Sequence, residues 1–140
     1  MKADVAFVSC VKTKSTTAEL AEHLYISPWF RMAKEYVRQN ADRWFILSAE
    51  YGLLRPGQMI DPYEATLNNL GIKLRQHWAK RVMHQMAELD LWGSRAIVLA
   101  GKNYREFLMD PLMLRFKSVE VPMDGLMMGQ QLSWLSKRVN

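Results

Sequence analysis

The chain has 140 residues, 49% of them hydrophobic and 24% charged, and its 19 Lys and Arg against 14 Asp and Glu give a formal net charge of +5. That length fits one domain with a core of its own, and the single cysteine, Cys10, excludes an internal disulfide or a multi-thiolate zinc centre. No apolar run approaches the roughly 20 residues of a membrane span, and Met1–Asp4 enters a short strand rather than a signal-peptide core, so a cytoplasmic protein without a membrane partner is expected.

Val5-Ala6-Phe7-Val8 is a continuous apolar run, as expected of a strand covered on both faces. It opens into the hydroxyl- and lysine-bearing loop Ser9 to Thr17. Thr17 is expected to cap a helix starting at Ala18. Ser27 then caps a second helix with Pro28 at its first position, running towards Asn40. Trp44 to Leu47 is the second strand, followed by the loop Ser48-Ala49-Glu50-Tyr51-Gly52-Leu53-Leu54-Arg55-Pro56 and Asp61-Pro62-Tyr63. Glu64 to Leu70 is expected as a short helix closed by Gly71.

A longer helix follows, with Leu74, Trp78, Val82 and Met86 at four-residue steps. Its other side carries Lys73, His77, Lys80, Arg81 and His84. Such a face is ordinarily solvated surface, with phosphate contact as the alternative. Gly93-Ser94 breaks the helix before a third buried strand, Ala96 to Ala100. Gly101-Lys102-Asn103-Tyr104-Arg105 opens another helix, and Asp110 and Pro111 are expected to cap and restart it. Ser118 to Val121 alternates as an edge strand does. Pro122 to Gly129 forms a loop before a final amphipathic helix over Gln130 to Arg138.

Strands alternating with helices predict a single α/β domain over 1–140, a mainly parallel sheet with helices on both faces. Ligands bind such sheets beyond the carboxyl ends of the strands. The loops singled out by this rule are Ser9 to Lys14, Ser48 to Tyr63, Gly101 to Arg105 and Pro122 to Gly129.

Within them, Glu50 and Asp61 offer carboxylates able to act as a base, orient water or stabilise an oxocarbenium-like cation. Turn capping or pairing with Arg55 is the structural alternative. Lys12, Lys14 and Lys102 suit phosphate, or one of them is a buried amine nucleophile. Ser9 and Cys10 lie where a strand gives way to a loop, with Cys10 expected as a small buried hydrophobe. Tyr51, Tyr63 and Tyr104 each follow a strand and are placed to stack on a base, or to serve as core residues with wet hydroxyl tips. Walker A, G-x-G-x-x-G, H-E-x-x-H and G-x-S-x-G patterns are absent. The three histidines, His23, His77 and His84, lie outside the site loops. No metal and no cofactor are expected.

Ser9-Cys10-Val11-Lys12, the stretch Leu47 to Pro56 and Asp61-Pro62-Tyr63 together resemble the pattern of the YaaA peroxide-stress proteins. A smaller bacterial and phage family of domains of unknown function resembles the chain more fully, through Gly101-Lys102-Asn103-Tyr104 and Gly129-Gln130-Gln131-Leu132-Ser133-Trp134-Leu135. The resemblance implies distant kinship with the lyase domain of archaeosine synthase and with the uracil-DNA-glycosylase type of fold. It therefore implies a three-layer α/β/α arrangement with four strands in the order 2-1-3-4. The glycosylase signatures Gly-Gln-Asp-Pro-Tyr and His-Pro-Ser are absent, so no catalytic residues carry over. YaaA proteins are longer, and the segment they associate with DNA binding has no counterpart here.

Basic charge, strand-end loops and resemblance together lead to an expected enzyme of nucleobase or N-glycosidic-bond processing. The form expected is a DNA glycosylase-like protein in defence against modified phage DNA, with nucleic acid or a nucleotide as partner. In that expectation Glu50 or Asp61 is catalytic. Ser9, Cys10, Lys12, Lys14, Ser48, Tyr51, Gly52, Arg55, Tyr63, Gly101, Lys102 and Tyr104 line the substrate site. The alternatives are a non-catalytic nucleic-acid or nucleotide-binding module, and a lyase or transferase on a free modified nucleoside.

Overall fold

The computed structural model describes residues 2–139. Its elements in chain order are β1 (Ala3–Ser9), β2 (Glu19–Leu20), α1 (Ala21–Leu24), α2 (Pro28–Asn40), β3 (Ala41–Ser48), β4 (Gly52–Leu54), β5 (Met59–Ile60), a 3-10 turn (Leu67–Asn69), α3 (Ile72–Glu88), β6 (Gly93–Leu99), α4 (Lys102–Arg105), α5 (Met109–Arg115), β7 (Phe116–Glu120) and α6 (Met128–Val139). The main sheet has five strands in the order β4-β3-β1-β6-β7. β3, β1, β6 and β7 are parallel, and β4 lies antiparallel on β3.

This corrects the expected four-stranded sheet of order 2-1-3-4. The segment expected as a loop after the second strand instead turns back through Ala49 to Tyr51. It pairs Ser48 with Gly52 and Ile46 with Leu54, adding an edge strand. Leu53 and Leu54 are buried there, which gives the extra strand an apolar reason to stay on the sheet.

β1 is flanked on both sides and almost wholly buried: Val5, Ala6, Phe7 and Val8 are each 2% exposed or less. Right-handed crossovers then decide where the helices go. The step from β1 to β3 and the steps from β3 to β6 and β6 to β7 run in opposite directions across the sheet. α2 therefore covers one face, and α3 to α5 cover the other. The packing agrees, with α2 against β1, β3 and α6, and α3 against β4 and α4.

Several local expectations give way to tertiary pairing. Glu19–Leu20 pairs with Met59–Ile60, so the helix expected from Ala18 shrinks to Ala21–Leu24 and Thr17 does not cap it. Segment 61–66 forms no helix, and the Tyr63 side chain within it reaches inward to Ser48 and Tyr25. Only the 3-10 turn Leu67–Asn69 forms, with Thr66 Oγ1 accepting from the Asn68 N–H. α5 starts at Met109, which places Asp110 in its first turn rather than at its cap. A carboxylate there still complements the helix dipole. Ser27 does cap α2, its Oγ accepting from the Phe30 N–H at 3.1 Å.

The turn into β4 depends on Gly52, whose φ of +76° lies in the left-handed region. A Cβ at this position would run into Gln85 Oε1. Gln85 accepts from the Leu53 N–H at 2.7 Å and donates to the Tyr51 carbonyl at 3.1 Å, tying α3 to the turn. Gly52→Ala is therefore expected to lower the unfolding free energy by about 2 kcal/mol or more, through backbone strain and disturbed Gln85 hydrogen bonds. Urea titration measures this, and an unchanged midpoint would contradict the role given to this turn.

Candidate functional site

Because the chain leaves β1 towards one face and β6 towards the other, a crevice opens beyond their carboxyl ends. A cavity of about 440 Å³ occupies it, lined by Cys10, Val11, Lys12 and Lys14 after β1, by Glu64, Ala65, Thr66, Asn68 and Asn69 before α3, and by Tyr104 of α4. Its size lies within the range of small-molecule sites.

The floor is a run of buried hydroxyls. Tyr63 Oη lies 2.6 Å from Tyr25 Oη and accepts from Ser48 Oγ at 2.8 Å. Ser48, fully buried at the end of β3, also accepts from the Tyr51 N–H at 3.0 Å, while its carbonyl accepts from Trp78 Nε1 at 2.8 Å. Tyr104 Oη is held by Cys10 Sγ at 3.4 Å, by Thr66 Oγ1 at 3.4 Å and by the Leu67 N–H at 3.3 Å. The Trp78 ring meets Tyr104 edge-on, with centroids 5.7 Å apart. Each polar tip thus has a partner, which permits aromatic side chains this deep in the fold.

Lys14 stands above this floor. Its backbone bridges to Tyr25, and bonds from Ser15 to Leu24 and from Ile26 to Thr13 hold the two segments together. Its Nζ lies 4.5 Å from the Tyr63 ring centroid and 5.9 Å from that of Tyr25, and donates to the Lys12 carbonyl at 3.3 Å. Desolvation lowers the pKa of this amine below the usual lysine value, against the opposing pull of Cys10 and Glu64. Burial likewise pushes the phenols of Tyr25 and Tyr63 well above their ordinary range. Tyr104 is pushed up to about 12, mainly by burial and then by the neighbouring Cys10.

The expected site residues divide into four groups. Cys10, Lys12, Lys14 and Tyr104 line the cavity. Ser48, Tyr51 and Tyr63 form the hydrogen-bonded support beneath it, with Tyr51 meeting Tyr63 edge-on and donating to the Asp61 carbonyl at 3.1 Å. Ser9 is buried at the end of β1 opposite Leu47, and Gly52 shapes the turn into β4.

The remaining residues lie apart from the cavity. Glu50 and Asp61 are exposed, and their backbone carbonyls accept from Arg81 and Tyr51. Arg55 is exposed too. Gly101 and Lys102 line a separate cavity of about 210 Å³, together with Arg105 and Asp124, on the far side of α4.

Sequence reasoning passed over Glu64, Thr66, Asn68 and Tyr25. Glu64 directly follows Pro62-Tyr63, so extending the strand-end loop by three residues finds it and Thr66. Nothing in the local pattern marks Tyr25, which arrives through pairing with Lys14. Among the described residues, no three His, Cys, Asp or Glu side chains gather to hold a metal ion. None of the described helices is long and apolar enough to cross a membrane.

Stability should respond to alkali with a definite sign. Tyr104 holds its proton up to about 12 in the fold, against 10.0 for an unperturbed phenol. Its contribution is therefore complete below pH 10 and lost as pH rises towards 12, because the unfolded chain releases the proton first. Tyr25 and Tyr63 act in the same direction. Urea midpoints measured from pH 9 to 12 are expected to fall, and to fall less in Tyr104→Phe; equal slopes would contradict the burial of this phenol.

The comparisons with known proteins carry no activity with them. "Uncharacterized protein YfjM" of Bacillus subtilis (strain 168) is 30% identical over 95 residues, covering 63% of this chain and 59% of that protein. The chain thus spans less than two thirds of that relative's length. No solved structure matches the chain. The family model of DUF6884 matches residues 5–137, and the chain belongs to this family of unknown function.

Proposed function

We propose that the cavity binds a nucleobase and that the protein processes an N-glycosidic bond, as a DNA glycosylase-like hydrolase on modified or damaged DNA. The setting proposed for this activity is defence against modified phage DNA. One observation carries this reading. A phenol ring, a carboxylate, carboxamides and two lysines converge on a single cavity of about 440 Å³ at the reversal point of a parallel sheet.

The chemistry follows from the residue types. Base recognition calls for an aromatic wall and hydrogen-bonding groups for the base edge, which Tyr104, Asn68 and Asn69 supply. Cleavage of the glycosidic bond calls for a carboxylate that orients water or stabilises the developing sugar cation. Glu64, exposed like Glu50 and Asp61 but the carboxylate that lines the cavity, takes this role in their place. Lys12, exposed at the rim, suits the flanking phosphate. The exposed basic side of α3, with Lys73, Lys80 and Arg81, adds a positive field for a polyanion.

Incubation with duplexes carrying modified or damaged bases, followed by mass spectrometry of released base, tests the proposal. Glu64→Gln is expected to reduce release by roughly 10²–10⁴-fold, while Glu50→Gln and Asp61→Asn retain near wild-type rates. Equal rates for wild type and Glu64→Gln would overturn the assignment. Binding that weakens steeply with salt but yields no released base from any substrate would replace the enzyme with a binding module.

A further inference from the structure

We infer that Lys14 is a covalent amine nucleophile, forming an iminium with the C1′ carbon of a ligand sugar or with a sugar aldehyde held in the cavity. This deepens the N-glycosidic reading and rests on it for the identity of the sugar.

The choice among the lysines is geometric. Lys12 and Lys102 are exposed, and Lys102 lies at the other cavity. Lys14 is half-buried, with two phenol rings beside its Nζ and a backbone carbonyl as hydrogen-bond acceptor. Its side chain lines the same cavity as Glu64, Thr66 and Tyr104. The bridge to Tyr25 and the Tyr25–Tyr63–Ser48 run fix its base from below. A held amine near a carboxylate, on an apolar bed, is the arrangement Schiff-base chemistry needs.

Desolvation favours the neutral amine, which is the nucleophilic form. The groups closest to it electrostatically are Cys10 and Glu64, and both favour the ammonium. A ligand that excludes water from the cavity strengthens the desolvation.

The step balances as follows. The Nζ lone pair forms a bond to C1′, and the glycosidic bond breaks with its electron pair leaving on the base, which takes a proton from solvent water. The amine gives up a proton to the Glu64 carboxylate. The C1′–O4′ bond then opens, O4′ takes that proton, and nitrogen's lone pair completes the C1′=N iminium. Water adds to C1′ and returns the aldehyde and the free amine, releasing to solvent a proton that replaces the one the base took up. With a sugar that is already an aldehyde, amine and carbonyl condense with loss of one water.

Two probes test this: a duplex containing an abasic site, and free 2-deoxyribose 5-phosphate. Each is incubated with the whole chain in the presence of borohydride, which reduces the iminium to a stable secondary amine that mass spectrometry locates. The expected result is an adduct on Lys14 that persists in Lys102→Ala, whose side chain lines the other cavity. It should fall to background in Lys14→Ala and in Lys14→Arg. Lys14→Arg keeps the positive charge, and an unchanged thermal midpoint for it separates chemistry from folding.

No adduct on the wild type, an adduct on another lysine, or undiminished trapping by a folded Lys14→Arg would overturn the inference. Base release without trapping would also overturn it, leaving Glu64-directed water as the nucleophile and the N-glycosidic reading intact. Trapping on Lys14 with no base release from any substrate would uphold the amine and overturn that reading instead.

Discussion

β1 lies between β3 on one side and β6 on the other, and the cavity at the strand ends depends on that. Since parallel crossovers are right-handed, the loop after β1 must rise towards one face and the loop after β6 towards the other. The loop before α3 crosses the gap between them, its Leu67 N–H bonding Tyr104 Oη. The lining arrives from three distant stretches: Cys10 to Lys14, Glu64 to Asn69, and Tyr104.

The gap stays ordered because polar groups beneath it are paired rather than merely buried. Ser48 is the hinge of this arrangement. It closes β3, caps the turn into β4 through the Tyr51 N–H, accepts Trp78 from α3 and donates to Tyr63. Removing one partner from such a set leaves a buried group unsatisfied, at about 1–3 kcal/mol. Tyr63 in turn carries Lys14 above its ring, so packing and electrostatics of the cavity share one support. Gln85 repeats the logic at the other end of the turn, joining α3 to Tyr51 and Leu53 across the left-handed Gly52.

Much of this was legible in the sequence. The apolar runs Val5–Val8, Trp44–Leu47 and Ala96–Ala100 lie within or overlap β1, β3 and β6, and Ser27-Pro28 opens α2 as local capping rules require. The strand-end rule pointed to the loops carrying Cys10, Lys12, Lys14 and Tyr104. What escaped was set by pairing at long range. Leu53-Leu54 reads as loop until Ile46 is known to lie opposite. Thr17 reads as a cap until Glu19 is known to pair with Ile60. Glu50 and Asp61 looked central because they sit inside the densest motif, yet Glu50 in the turn into β4 and Asp61 just after β5 are both on the surface and outside the cavity lining. Glu64, beyond the motif, is the carboxylate at the cavity. Glu64 is as exposed as the other two, so what separates it from them is its place on the cavity wall rather than burial.

The central claim is that the crevice between β1 and β6 accepts a nucleobase-bearing ligand. Backbone amide chemical shifts of the isotope-labelled chain, followed during titration with deoxynucleoside monophosphates, test it most directly. The account predicts saturable shifts concentrated at Cys10 to Lys14, Glu64 to Asn69 and Tyr104. Shifts confined to Gly101, Lys102, Arg105 and Asp124 around the second cavity, or no saturable shifts at all, would contradict it.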